Sequence, residues 1–262
     1  MHCTTDNYLA LEPRRSDDVA DLRDAGISTI NDYQRDFFVE TALVEGGSLT
    51  LDANLRDPAP RRPFLTSDAA SAMPTGARDM ISHFGVAPGS TMAKDVATAA
   101  YLCGNPALPG EAFRCAASVE AVGAFVAAEL GRSVKVYKTT GAPSSTSAVK
   151  GAPVNIVEVA KGSLAEGKKI VVCHHLPFAA ELFYCHRVKD TKVVKAALKP
   201  AGGLGSSRAI NAVGVCHMDT SMWLSRHPAF KALGIAHGDA ACHFLVDGDL
   251  VFTAGAASDQ AA

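Results

Sequence analysis

Four Cys-His dipeptides stand in the last third of the sequence: Cys173-His174, Cys185-His186, Cys216-His217 and Cys242-His243. Seven Cys and nine His placed at random in 262 residues would give only about 0.24 such dipeptides, so the recurrence is a pattern to be explained. Both partners do chemistry. Cysteines form disulfides or bind soft metals, and neutral imidazole suits copper, zinc, nickel or iron. If each dipeptide lies on a β-strand, its two side chains point to opposite faces. The four cysteines would then meet in one buried layer while four imidazoles line another surface.

Spacing separates the options for sulfur. Zinc fingers bring their ligands in as close pairs, whereas 10, 29 and 24 residues intervene between these dipeptides. Two disulfides among Cys173, Cys185, Cys216 and Cys242 are the better reading, with the pairing open. Cys103 and Cys115 flank a loop holding Pro106 and Pro109 and suggest a third bridge, worth about 3 kcal/mol if unstrained. Cys3 is then the odd one. The alternative is a reduced set in a cytosolic core.

With sulfur oxidised, His174, His186, His217 and His243 offer four nitrogen donors and no thiolate, a set that favours tetragonal Cu(II). Such binding weakens below about pH 6.5, where imidazole protonates. Asp219 reads either as a carboxylate that orients a ligating imidazole or as a turn or helix cap in Asp219-Thr220-Ser221. Trp223, the only Trp, reads as a core anchor. His175, His227, His237, His2 and His83 are weaker candidates.

Several elements must position these side chains. Residues 1–35 read as a charged arm, 36–255 as the domain and 256–262 as a tail. Residues 64–131 look helical: Ser67 or Asp68 caps one helix, Ser90 a second and Ser118 a third that runs to Gly131. Leu49 and Leu51 alternate as on a strand. After residue 132 come short β-branched or aromatic runs at Val134–Tyr137, Val154–Val159, Lys169–Cys173, Leu182–Val188, Lys192–Leu198, Ala212–Cys216 and Cys242–Val246. Lys189-Asp190-Thr191 reads as a hairpin turn and Gly202–Gly205 as a loop. The expected class is α+β, helices first and a mainly antiparallel β region second.

Composition excludes other classes. A net charge of −2 gives no support to nucleic-acid binding. The longest nearly apolar run, Ala121–Ala128, is too short to span a bilayer. Residues 1–30 hold Asp, Arg and Glu throughout and do not read as a secretory leader.

The four dipeptides and their neighbours resemble the BURP domain of plants. The neighbours are Phe183-Tyr184, Asp219-Thr220-Ser221 with Trp223, His227 with Ala229-Phe230, and Phe244-Leu245. Upstream, Phe37-Phe38 with Gly46 resembles the family's domain start, and Cys103 with Cys115–Glu120 its paired-cysteine segment. Leu176–Glu181 and Asp247–Phe252 depart from the family pattern, which bears on substrate contacts more than on the fold. Some members are copper-dependent peptide cyclases that cross-link a Tyr or Trp side chain within a peptide. The resemblance thus implies copper on His174, His186, His217 and His243. Other members are secreted, wall-associated proteins of development or stress response with no assigned reaction. Residues 1–36 show no repeat and no Trp, and Tyr8 and Tyr33 read as ordinary arm residues, which disfavours self-modification. The expectation is a secreted or apoplastic copper-binding domain. It is either a macrocyclase acting on a separate peptide or a non-catalytic protein that meets a cell-wall component.

Overall fold

The computed structural model describes residues 37–51, 55–57, 59–107, 110–143, 152–160, 169–187, 189–201, 208–223, 225 and 227–255. The expected arm, the tail and the Gly202–Gly205 loop lie outside them.

Two antiparallel sheets dominate these residues. In chain order the elements are β1 (Phe37–Phe38), β2 (Ser48–Leu51), α1 (Ser67–Ser71), α2 (Ala77–His83), α3 (Thr91–Gly104), β3 (Ala112–Ala116), α4 (Val119–Leu130), β4 (Val134–Tyr137) and β5 (Ala152–Val159). They continue as β6 (Ile170–Leu176), β7 (Leu182–Arg187), β8 (Thr191–Pro200), β9 (Ile210–His217), α5 (Pro228–Leu233), β10 (Ala241–Phe244) and β11 (Leu250–Ala254). The first sheet runs β1-β10-β9-β8-β5-β2 and the second β3-β7-β6-β11-β4.

The expected order, helices and then sheet, is therefore overturned. β1 and β2 precede every described α-helix and pair with β10 and β5. β3 sits inside the stretch expected to be helical and pairs with β7. The physical reason is long-range pairing, which recruits two- to five-residue segments too short to show a period of their own. Lys189-Asp190-Thr191 is not a hairpin either. β7 belongs to the second sheet and β8 to the first, so this turn, with Asp190 at φ +50°, carries the chain between layers.

Side-chain caps start α1, α3 and α4. The hydroxyls of Ser90 and Ser118 accept the backbone N–H of Ala93 and Ala121. At the first helix the cap is Thr66, which accepts from Ala69. Apolar residues then sort into layers. α4 lays Phe125 and Val126 on Val171, Cys173, Phe183 and Cys185 of the second sheet. The opposite face of that sheet sends Ile170 and Val172 against Val193, Val213 and Val215 of the first. The far side of the first sheet closes around Leu198, Ala212, Cys216, Cys242 and Phe244 with Phe38, Leu51 and Leu55.

Candidate metal centre

Each dipeptide lies on a strand, and strand alternation divides its two side chains. In β6, Cys173 shares a face with Val171 and packs under α4, while His174 shares a face with Ile170 and Val172 between the sheets. His186 belongs to the same face, because its register partner is Val172. In the first sheet Cys216 and Cys242 point to the far core. His243 is paired in register with Val215, and His217 lies two residues on from Val215, which puts both on the inter-sheet face. All four rings are buried, 0–3% exposed.

The sulfurs do not meet in one layer. Cys173 and Cys185 are register partners and form one disulfide; Cys216 and Cys242 are register partners and form another, on the other side of the molecule. Cys103 at the end of α3 bridges to Cys115 in β3. The sulfurs of the dipeptides thus staple neighbouring strands within a sheet and leave the space between sheets to nitrogen.

The imidazoles stand as two pairs, one per sheet. His174 and His186 bring their Nε2 atoms to 3.3 Å. Behind them, His174 Nδ1 lies 3.2 Å from Asp249 Oδ2, and His186 Nδ1 lies 2.7 Å from Glu111 Oε1. A carboxylate beside Nδ1 favours the tautomer with the proton there and the lone pair on Nε2. At 3.3 Å the two Nε2 atoms share one hydrogen bond when either carries the proton, and offer a cation two lone pairs when both rings are in the Nδ1–H form. The separation matches two nitrogens each ~2.0 Å from one ion at a near-tetrahedral angle. Across the layer, His217 and His243 stack at 5.6 Å between ring centroids and 17° between planes. His243 Nδ1 is 3.2 Å from the Phe244 carbonyl oxygen, which again directs the proton to Nδ1. Trp223 presents an edge to His217 at 5.1 Å.

Burial pushes the His174 pKa down to about 3, against the upward pull of Asp249; His186 and His243 add to the lowering, so the two pairs sense one another electrostatically. His174 is therefore a neutral imidazole, the form that ligates metal. Among the described residues no three His, Cys, Asp or Glu side chains are gathered as a ready-made metal-binding group. The donors that fit a shared ion as they stand are His174 and His186, with the second pair facing them.

A BURP domain family model matches residues 36–254. The chain belongs to the BURP domain family. This BURP domain is 35% identical over 221 residues to BURP domain-containing protein 14 of Oryza sativa subsp. japonica, covering 83% of this chain and 31% of that protein. It is 34% identical over 229 residues to rice BURP domain-containing protein 5, covering 83% and 66%. It is 32% identical over 219 residues to Polygalacturonase 1 beta-like protein 3 of Arabidopsis thaliana, covering 82% and 34%. The chain thus spans about a third of the length of two of these relatives.

Within this BURP domain Asp219 takes the turn role: it is exposed, its Oδ1 accepts the Ser221 N–H at 2.8 Å, and hydrogen bonds from the Ser221 hydroxyl and then its N–H hold its pKa low. The carboxylates that back imidazoles are Asp249 and Glu111, which sequence reasoning missed. Both reach their histidines only through strand pairing across 75 residues, and neither carries a local signal beyond its charge. Trp223 is 6% exposed in a core cluster with Phe230, as an aromatic anchor should be. His227 caps α5, its Nδ1 accepting the Ala229 N–H. His175 points away from His174 into a separate buried network with Asp57 and Glu181. Among the described residues no helix is long and apolar enough to cross a membrane.

Proposed function

We propose that this BURP domain binds copper through His174, His186, His217 and His243 and catalyses oxidative macrocyclisation of a separate Tyr- or Trp-containing peptide. The observation that carries the metal reading is the facing pair of Nε2 atoms, each backed on Nδ1 by a carboxylate. Bound copper supplies one-electron and dioxygen chemistry that side chains do poorly alone. The chain's own residues prepare the ligands. Asp249 and Glu111 retain the Nδ1 protons and fix the rings, and Val172, Val193, Val213 and Val215 keep water from the layer. Ring closure removes two hydrogen atoms from the peptide, with dioxygen as the electron acceptor. The three disulfides support folding in an oxidising compartment, on the way to secretion.

A second reading rests on burial. Rings at most 3% exposed hold an ion where a peptide side chain does not reach without the sheets moving apart. In that reading the domain is a non-catalytic, copper-holding protein of the cell wall. Relatives carrying the name polygalacturonase 1 beta-like make this the natural rival.

One experiment separates the two. Copper-loaded protein is incubated in air with Tyr- and Trp-containing peptides and the products are weighed by mass spectrometry. Loss of two hydrogens per cross-link, abolished by His217→Ala, supports the cyclase; full copper occupancy without any mass loss supports the rival. Unchanged copper content in His174→Ala/His186→Ala overturns both.

A further inference from the structure

Asp249 reaches His174 from a turn at 247–249 that leads into β11, and this turn is gripped from outside the imidazole layer. Residues 55–57 and 59–62, between β2 and α1, cross it as a strap. The Asp247 N–H donates to the Leu55 carbonyl at 2.9 Å, and Asp247 Oδ1 accepts the Asp57 N–H at 2.7 Å. The Gly248 carbonyl accepts from the Arg61 guanidinium at 3.4 Å. A Cβ at Gly248 would overlap the Asp57 carboxylate, so only glycine lets the turn pass this close.

The buried Asp57 carboxylate is engaged on both oxygens. One accepts the Ala59 N–H at 2.8 Å and the other takes Nδ1 of His175. His175 Nε2 lies 3.3 Å from Glu181 Oε2, and Glu181 pairs with Arg61 and accepts the Arg62 N–H. The strap thus holds the His175 ring at both nitrogens, directly through Asp57 and by way of Glu181. His175 is tied to the turn in its own right. Its backbone N–H donates to Asp249 Oδ1 at 3.0 Å, while Asp249 Oδ2 stands 3.2 Å from His174 Nδ1. Two routes therefore run from Asp57 to Asp249, one through Asp247 and Gly248 and one through His175.

We propose that Asp57 is a positioning residue for the metal centre: it fixes the 247–249 turn and His175, and so aims the Asp249 carboxylate at His174 Nδ1 and keeps the His174 lone pair on Nε2. The inference rests on the copper reading for its purpose, but the geometry it describes belongs to the metal-free chain. Asp57→Asn keeps the shape and spoils the grip. An amide has one acceptor oxygen, which serves the Ala59 N–H or the His175 ring but not both. Gly248→Ala presses on the same contact from the other side.

The test uses the full chain with its disulfides intact. Imidazole nitrogen NMR of the metal-free protein at about pH 7, where burial keeps His174 neutral, reads its tautomer, with His174→Gln assigning the signals. The wild-type ring is expected in the Nδ1–H form. Asp57→Asn and Gly248→Ala should each move it toward the Nε2–H form and lower copper affinity about tenfold in a competition titration. Ser118→Ala, which removes the α4 cap, should lower the melting temperature and leave tautomer and affinity unchanged. Should Gly248→Ala fail to fold, Asp57→Asn decides alone. A wild-type ring in the Nε2–H form, or a tautomer unchanged in Asp57→Asn, overturns the proposal. So does the same shift in Ser118→Ala, or a shift in Asp57→Asn that leaves copper affinity intact. A wild type that takes up no copper while Asp57→Asn still shifts the tautomer overturns the copper reading and supports the positioning of His174.

Discussion

His174 carries a stability signature that is independent of any metal. Its pKa in the folded domain is about 3 because burial disfavours the charged ring, whereas an unfolded histidine titrates near 6.5. The folded state therefore binds fewer protons, so this residue costs nothing above about pH 6.5 and destabilises the fold progressively as pH falls toward 3. Urea unfolding with disulfides intact should show a falling midpoint from pH 7 to pH 4, and His174→Gln should flatten that slope. The carboxylates give a second prediction. Glu111→Gln keeps the shape behind His186 but removes the charge that holds its Nδ1 proton, so copper affinity should drop about 10–100-fold in a competition titration. Asp219→Asn, whose bond is to the Ser221 N–H, should leave that affinity unchanged.

At the scale of elements, the paired strands β9 and β10 hold two of the four dipeptide histidines, and their spacing is tightly set. Gly214 lies where a Cβ would come within 3.0 Å of the His243 carbonyl oxygen and 3.1 Å of Val194 Cγ2. Gly214→Ala should therefore cost about 1–3 kcal/mol, visible as a lower unfolding midpoint. Removing the bridge beside it, with Cys216→Ala and Cys242→Ala together, should cost about 3 kcal/mol for the loop it closes. Sequence alone made the division of sulfur from nitrogen legible, because alternation along a strand is a local rule. The Ser90 and Ser118 caps were legible for the same reason. Phe37–Phe38 was too short to show alternation, and Ala112–Ala116, following Pro106 and Pro109, read as a loop. Leu250–Ala254 was not among the expected strands, and its pairing with β4 and β6 makes it one. Asp249 and Glu111 stayed hidden because no local rule says which distant carboxylate a ring will meet.

For the whole molecule, copper bound between the sheets should stabilise the folded state by mass action. Micromolar Cu(II) is expected to raise the melting temperature in calorimetry, EDTA to reverse the rise, and His174→Ala/His243→Ala to abolish it. A shift that survives the double variant would place the metal elsewhere. The covalent plan has a mechanical outcome. The Cys173–Cys185 and Cys216–Cys242 bridges each join two strands of one sheet, and Cys103–Cys115 joins a helix to an edge strand. No described sulfur bond fastens one layer to the other; packed valines and the Thr140–Asn211 backbone bridge join them. Covalent crosslinks therefore do not guard the hidden nitrogens: noncovalent contacts alone close them off.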